Sequence, residues 1–221
     1  MNNRTIFTLS SICLISIISL KTLGQNNIIE SRVDSLIKLM TIDEKIGQMN
    51  QYNGFWDITG PVPQDGDAKT KYEHLRQGLV GSMLNVRGTE NVRKLQELVV
   101  NENRLGIPLI FGFDVIHGHK TLSPIPLAEA ASWDLKAIEN SARIAAIEAS
   151  AVGINWTFAP MVDISRDARW GRVMEGAGED PFLGAKIGVA RVKGFQGDDL
   201  SASNTIAVSY THLTLPTKRI V

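Results

Sequence analysis

Two stretches of the chain gather side chains that could do chemistry. The longer runs from Phe158 to Pro181 (FAPMVDISRDARWGRVMEGAGEDP) and carries Asp163, Arg166, Asp167, Arg169, Arg172, Glu175, Glu179 and Asp180 around Trp170. The shorter is Asp114-Val115-Ile116-His117-Gly118-His119. Carboxylates and guanidinium groups beside an aromatic ring suit a polyhydroxylated ligand. Hydroxyls need donors and acceptors fixed in space, and a charged partner roughly doubles the strength of each hydrogen bond. Alternatives stand beside that reading. Arg166, Arg169 and Arg172 either bind phosphate or pair with Asp163, Asp167, Glu175 and Glu179 in one buried ionic lattice. The lattice is favoured, because so many charges in one loop must satisfy one another. Trp170 is either core or a flat face for a sugar ring. Asp114 is either a loop cap or a ligand. Asp180, just before Pro181, reads as a helix cap. His117 and His119 have no third ligand at a recognisable spacing, so neither a metal nor another cofactor is expected.

The elements that must position these residues follow from periodicity. Ile29, Val33, Leu36, Ile37 and Met40 fall on one helix face. Thr41 and Glu44 form a capping box ahead of a second helix through Ile46 and Met49. Asn53 to Lys71 reads as a loop, rich in Gly, Pro and Asp. Strands are expected at Val80–Asn85, Ile107–Phe113 and Ile154–Ala159, with Asn204–Val208 starting another. Helices are expected at Thr89–Glu102, Asp134–Val152 and Pro181–Phe195. Gly171, Gly176, Ala177 and Gly178 let the long charged loop fold tightly. Alternating strand and helix means parallel βα units. Charged residues after two strand ends match the active-site placement of a (β/α)8 barrel, and no Gly-x-Gly-x-x-Gly marks a dinucleotide fold. A full barrel needs about eight strands and ~250 residues, more than the chain supplies. The fold expected is therefore α/β, the N-terminal part of a TIM-type barrel, truncated before closure.

Of 221 residues, 23 are basic and 23 acidic, which argues against a nucleic-acid or anionic-membrane partner. Residues 1–25 have the order of a secretory signal peptide: Asn2-Asn3-Arg4, then an apolar run from Ile6 to Leu20, then polar residues from Gln25. That run is short for a membrane span, although an uncleaved anchor is the alternative. Cys13, the sole cysteine, lies inside it. A cleaved chain would thus have no disulfide, thiol or cysteine metal site. The expected protein is exported, periplasmic or extracellular, with no membrane attachment after cleavage. Nothing in the sequence sets an oligomeric state.

IPLIFGFDVIHG (Ile107 to Gly118), FAPMVDISRDARWGRVMEGAGEDP and, more loosely, TIDEKIGQM (Thr41 to Met49) closely resemble glycoside hydrolase family 3, β-glucosidase branch. The likeness runs from about Ile28 to Val208. It implies a catalytic barrel followed by an α/β sandwich domain, and hydrolysis of terminal β-linked sugars with retention. By position, Asp114 matches the aspartate that accepts hydrogen bonds from hydroxyls of the terminal sugar, and Arg172 the arginine that donates to the same sugar. Arg169, Trp170, Glu175, Glu179 and Asp180 match supporting residues of the motif. The implied substrate is a β-linked oligosaccharide or glycoside.

The departures matter as much. The family continues past the strand near Ile206 into a Lys-His pair. Here the residues are Val208-Ser209-Tyr210-Thr211-His212, and no lysine precedes His212. In the family the nucleophilic aspartate lies further along the barrel and the acid/base glutamate usually comes from the second domain. Both would fall beyond Val221. Residues 26–208 are thus expected to be part of the family's N-terminal barrel domain, and residues 209–221 (SYTHLTLPTKRIV) a tail that is not native. On that expectation the 221-residue polypeptide alone neither folds stably nor hydrolyses. Other readings are a non-catalytic exported sugar-binding module, or a β-xylosidase or β-N-acetylhexosaminidase of the same family. The last is disfavoured, since that branch has Asp-Gln-Glu-Gly-Gly where Asp114 to Gly118 stands and lacks the Arg-Trp-Gly-Arg signature. Cleavage is expected between Gly24 and Asn26; N-terminal sequencing of exported protein should begin there, and an intact Met1 on cytosolic protein would refute it.

Overall fold

The computed structural model describes residues 28–54, 66–198, 204 and 206–208. The segment expected as a signal peptide and the one expected as a tail from Ser209 lie outside the described residues, as does part of the segment expected as the last strand. The chain divides into two units, residues 1–45 and 46–221. In the first, residues 28–39 form helix α1, as the periodicity predicts, with Ile29, Val33, Leu36 and Ile37 exposed along it. Helix α2 (Ile42–Gln48) starts in this unit and crosses its boundary. Its N-terminus carries the expected reciprocal cap: Thr41 N–H donates to Glu44 Oε2 at 2.8 Å, and Glu44 N–H to Thr41 Oγ1 at 3.2 Å.

The second unit is a run of βα repeats. Its elements are β1 (Gln51–Asn53), α3 (Gly66–Gln77), β2 (Ser82–Leu84), α4 (Thr89–Glu102), β3 (Ile110–Phe113), α5 (Pro126–Ser132), α6 (Leu135–Ala151), β4 (Trp156–Thr157), a 3-10 turn (Val173–Glu175), α7 (Pro181–Gln196) and β5 (Ala207–Val208). All strand pairs are parallel and the order is β1-β2-β3-β4-β5, an open sheet among the described residues. Parallel neighbours in sequence order, with a helix across each gap, are the repeat of a (β/α) barrel.

Side-chain alternation along the strands divides the two faces. Met83 and Phe111 pack with Leu75, Val92, Leu95 and Val99 of α3 and α4 in one core cluster. A second cluster joins Ala142, Ala145, Ala146 and Ala149 of α6 to Ile154, Phe195 and Ile206. On the other face, the Trp156 and Phe158 rings meet at a tilt of 50°, 4.5 Å between centroids. A Cβ at Gly112 would sit 3.2 Å from each of those rings, which is why β3 carries a glycine there.

Three elements differ from the sequence-based expectation. The expected loop over Asn53–Lys71 is interrupted by α3, which starts at Gly66. That helix buries only Tyr72 and Leu75, so its apolar period is faint. Strand β1 is three residues, QYN, too short and polar to show alternation. Helix α5 is a seven-residue segment begun by Pro126 as its first helical residue. Strands β2, β3 and β4 lie inside the expected segments but are shorter, and helices α4, α6 and α7 lie where they are expected. Asp134 caps α6, accepting from Lys136 N–H at 3.1 Å and Ala137 N–H at 2.9 Å, and Asp180 caps α7, with Pro181 next.

Helices α6 and α7 make a close crossing because small residues face each other. A Cβ on Gly194 would lie 2.6 Å from Ala142 Cβ and 3.0 Å from the Arg143 nitrogen. Gly194→Ala must therefore push the helices apart, with an expected loss of about 1–3 kcal/mol. Urea unfolding of variant and parent checks this; an unchanged midpoint would mean the crossing has slack.

Candidate functional site

Asp114 is exposed and stands immediately after β3, at the C-terminal end of a central strand of the sheet. The backbone that follows is tied down residue by residue. Val115, fully buried, donates its N–H to Thr157 Oγ1 at 3.3 Å, and the same oxygen accepts from Ala159 N–H at 3.3 Å. The Ile116 carbonyl accepts from Arg191 Nη2. The His117 carbonyl accepts from Ser123 N–H at 2.9 Å, and His117 Nδ1 lies 3.2 Å from the Ser123 carbonyl. A carbonyl can only accept, so Nδ1 carries a proton in this bond. Gly118 has φ +106°, in the region that favours glycine, where the chain doubles back to pair with Leu122. Glu148, from α6, accepts from Lys120 N–H at 2.8 Å, Thr121 N–H at 2.7 Å and Thr121 Oγ1 at 2.6 Å, and the Thr121 bonds hold its carboxyl below the usual range.

Beside Asp114, the Phe113 ring meets the His119 ring edge-on at 5.5 Å and the Arg87 guanidinium at 5.7 Å. Burial pushes the His119 pKa below its ordinary 6.5, against the pull of Glu148.

The loop after β4 is held chiefly by local contacts. Ser165 N–H donates to the Gly178 carbonyl at 3.0 Å, closing the loop on itself. Asp167 accepts from Arg169 N–H at 2.9 Å and from its guanidinium at 2.5 Å, which holds the carboxyl below its ordinary range. Arg172 pairs in a two-pronged way with Glu175, Nε–H at 2.9 Å and Nη2–H at 2.7 Å. The 3-10 turn that follows Arg172 packs against α5, and Gly178 lies against Leu127 of the same helix. Helix α5 thus bridges the loop of Asp114 and the loop of Arg172, which follow adjacent strands.

The expected buried ionic lattice is not what forms. Arg169 is 89% exposed and Asp167 50%, and the Arg172 and Glu175 side chains are 44% and 24% exposed, so these pairs stand in water at the loop surface. Water screens these two pairs, which a buried lattice would not allow. Trp170 is half-buried; Glu179 and Asp180 are exposed at the start of α7, Asp180 as its cap. The buried pair lies elsewhere, between Arg191 of α7 (2% exposed) and Glu129 of α5 (5%). Burial lowers the Arg191 pKa and Glu129 opposes that shift. Ser141 Oγ donates to Glu129 Oε1 at 2.7 Å, and Arg191 lies over the Phe195 ring at 5.6 Å. Sequence reasoning passed over both partners. Their signal was position: Arg191 falls between Ile187 and Phe195 on a buried stripe, and Glu129 beside Ala130 and Pro126.

Among the described residues no group of three or more His, Cys, Asp or Glu gathers as a metal site. A groove of about 480 Å3 between α4 and α6, lined by Val92, Gln96, Val100, Phe111 and Val152, is on the helix-covered side and includes neither Asp114 nor Arg172.

Thr157 is the tie between β4 and the Asp114 segment. Thr157→Val keeps the shape but leaves two amides without their acceptor, at about 1–3 kcal/mol for a buried donor. The expected result is a lower unfolding midpoint together with faster amide exchange at Val115. Unchanged exchange would show that the tie is dispensable.

Comparison with known proteins adds the following. The family model described as glycosyl hydrolase family 3 N terminal domain matches residues 41–212. A periplasmic beta-glucosidase of Salmonella typhimurium is 40% identical over 180 residues, covering 81% of this chain and 22% of that protein. A beta-xylosidase of Formosa agariphila is 28% identical over 220 residues, 90% of this chain and 24% of that one. The crystal structure of a beta-glucosidase from Listeria innocua in complex with isofagomine matches with TM-score 0.70 and 42% identity, covering 82% of this chain and 25% of that one. The chain spans about a quarter of the length of these relatives.

Proposed function

The chain belongs to glycosyl hydrolase family 3, and from that premise we propose that it forms the sugar-holding side of a retaining β-glucosidase site in an exported enzyme. Asp114 accepts hydrogen bonds from hydroxyls of the terminal sugar, and Arg172 donates to the same sugar. The observation that carries this reading is the exposed Asp114 carboxylate at a strand end whose following backbone is anchored at Val115 and Ile116. A carboxylate held in place can accept two hydroxyls at once, and such charge-assisted bonds strengthen where the sugar ring gains positive character. Glu175 fixes the plane of the Arg172 guanidinium. Arg169, Trp170, Glu179 and Asp180 shape the loop that presents it. Export is supported by the apolar N-terminal segment and by the Salmonella relative's description as periplasmic.

Retention requires two carboxyl groups about 5–5.5 Å apart, one nucleophile and one acid/base. Neither role is given to a residue of this chain. On the family pattern they come from the barrel's later strands and from the second domain. The substrate is a glycoside with a terminal β-linked glucose. A terminal xylose is the second reading, favoured by the Formosa beta-xylosidase relative.

The test is made in the full-length enzyme with aryl β-glucoside and β-xyloside. Asp114→Asn is expected to lower kcat/KM more than tenfold, since losing a charged hydrogen bond in the transition state costs on the order of 1.5–3 kcal/mol. Arg172→Lys is expected to hurt as well, because the charge stays while the planar fork is lost. Near-parental kcat/KM for Asp114→Asn on both substrates would remove Asp114 from the site, and preference for the xyloside would replace glucose by xylose.

A further inference from the structure

We propose that Arg191 is a positioning residue for sugar binding, acting with Glu129 through the Ile116 carbonyl to hold the turn that carries Asp114. The inference rests on the reading of Asp114 as a sugar ligand. Asp114 is flanked on one side by β3 and on the other by two anchored residues. Val115 is held by Thr157, and Ile116 by Arg191 Nη2. The guanidinium has its own support: Glu129 Oε2 on one arm, the Phe195 ring beneath, and Ser141 donating to the other Glu129 oxygen. Side chains of α5, α6 and α7 therefore converge on one carbonyl two residues beyond Asp114.

Stability alone does not explain a charge there. Apolar residues of similar volume often serve as well as a buried ion pair, or better. What an apolar pair cannot do is donate to the Ile116 carbonyl. Without that donor the turn can settle in other arrangements, and the Asp114 carboxylate moves with it. Misplacement of that kind harms a ligand contact without exposing the core.

The decisive variant, in the full-length enzyme, is the paired replacement Arg191→Met with Glu129→Leu, beside Arg191→Lys and Glu129→Gln. Thermal unfolding, amide exchange over residues 115–118 and kcat/KM on an aryl β-glucoside are measured for each. The paired variant should keep a cooperative transition, exchange at least tenfold faster over that segment and lose at least tenfold in kcat/KM. Adding Asp114→Asn to it should cost less than the same change in the parent, because the carboxylate is already out of place. Arg191→Lys, which keeps a donor, should recover part of both losses. A folded paired variant with parental exchange and parental kcat/KM, or full additivity with Asp114→Asn, would overturn the proposal. If the paired variant fails to fold, Arg191→Lys and Glu129→Gln decide: exchange raised over 115–118 alone supports it, and unchanged exchange overturns it. If Asp114→Asn by itself leaves kcat/KM unchanged, the sugar reading fails, and the exchange result still decides whether Arg191 holds the turn.

Discussion

A guanidinium taken out of water must be met on the protein's side by a carboxylate and by acceptors for its remaining donors. Arg191 imposes that demand where three helices meet; its two terminal nitrogens are satisfied, while buried Nε has no hydrogen-bond partner. It pairs with Glu129 of the short helix α5, and Ser141 of α6 joins through the same carboxylate. It also draws the loop after β3 down onto the helices at Ile116. Removing Glu129 alone would leave a buried charge without its counterion, a change that typically costs 3–5 kcal/mol. The path between β3 and α6 is thus held in part by one side chain on α7, beside the ties to Thr157 and Glu148.

The two loops at the strand ends are built on opposite principles. The one after β3 is held by contacts far apart in sequence, to Thr157, Glu148 and Arg191. The one after β4 includes pairs between neighbours, Asp167 with Arg169 at exposed positions and Arg172 with a partly buried Glu175. Exposed pairs contribute about 0–1 kcal/mol and weaken with salt. Rigidity is therefore uneven around the site: Asp114 has a fixed base, whereas Arg172 sits on a loop whose order owes more to its packing on α5 and to the Ser165–Gly178 closure.

Much of the scaffold could be read from the residues. Helices α4 and α6 show a 3.6-residue apolar stripe, α6 and α7 have clear Asp caps, and β3 shows an apolar run ending in a charge. Asp114 was legible for the same reason, as the first charged residue after a strand. Helix α3 was not, because a helix burying two side chains leaves little period to see. Strand β4 spans only two paired residues, so its apolar flanks made it look longer than it is. The charges were misjudged in a systematic way. Their density in the loop from Asp163 to Asp180 drew attention, while the pair that is buried consists of single charged residues on apolar helix faces. Crowded charges mark solvent; an isolated charge on a buried stripe marks a tie.

The strand order β1-β2-β3-β4-β5 bears on how the molecule comes together. Each strand joins the edge of the one made just before it, so the sheet can be laid down in the order the ribosome delivers it, by short loop closures. The ties around Arg191 do not share that economy. Ile116 must wait for a side chain 75 residues later, and Glu129 for one 62 residues later. During synthesis the segment bearing Asp114 consequently takes its final course only once α7 has been made, after β3 and β4 are in place.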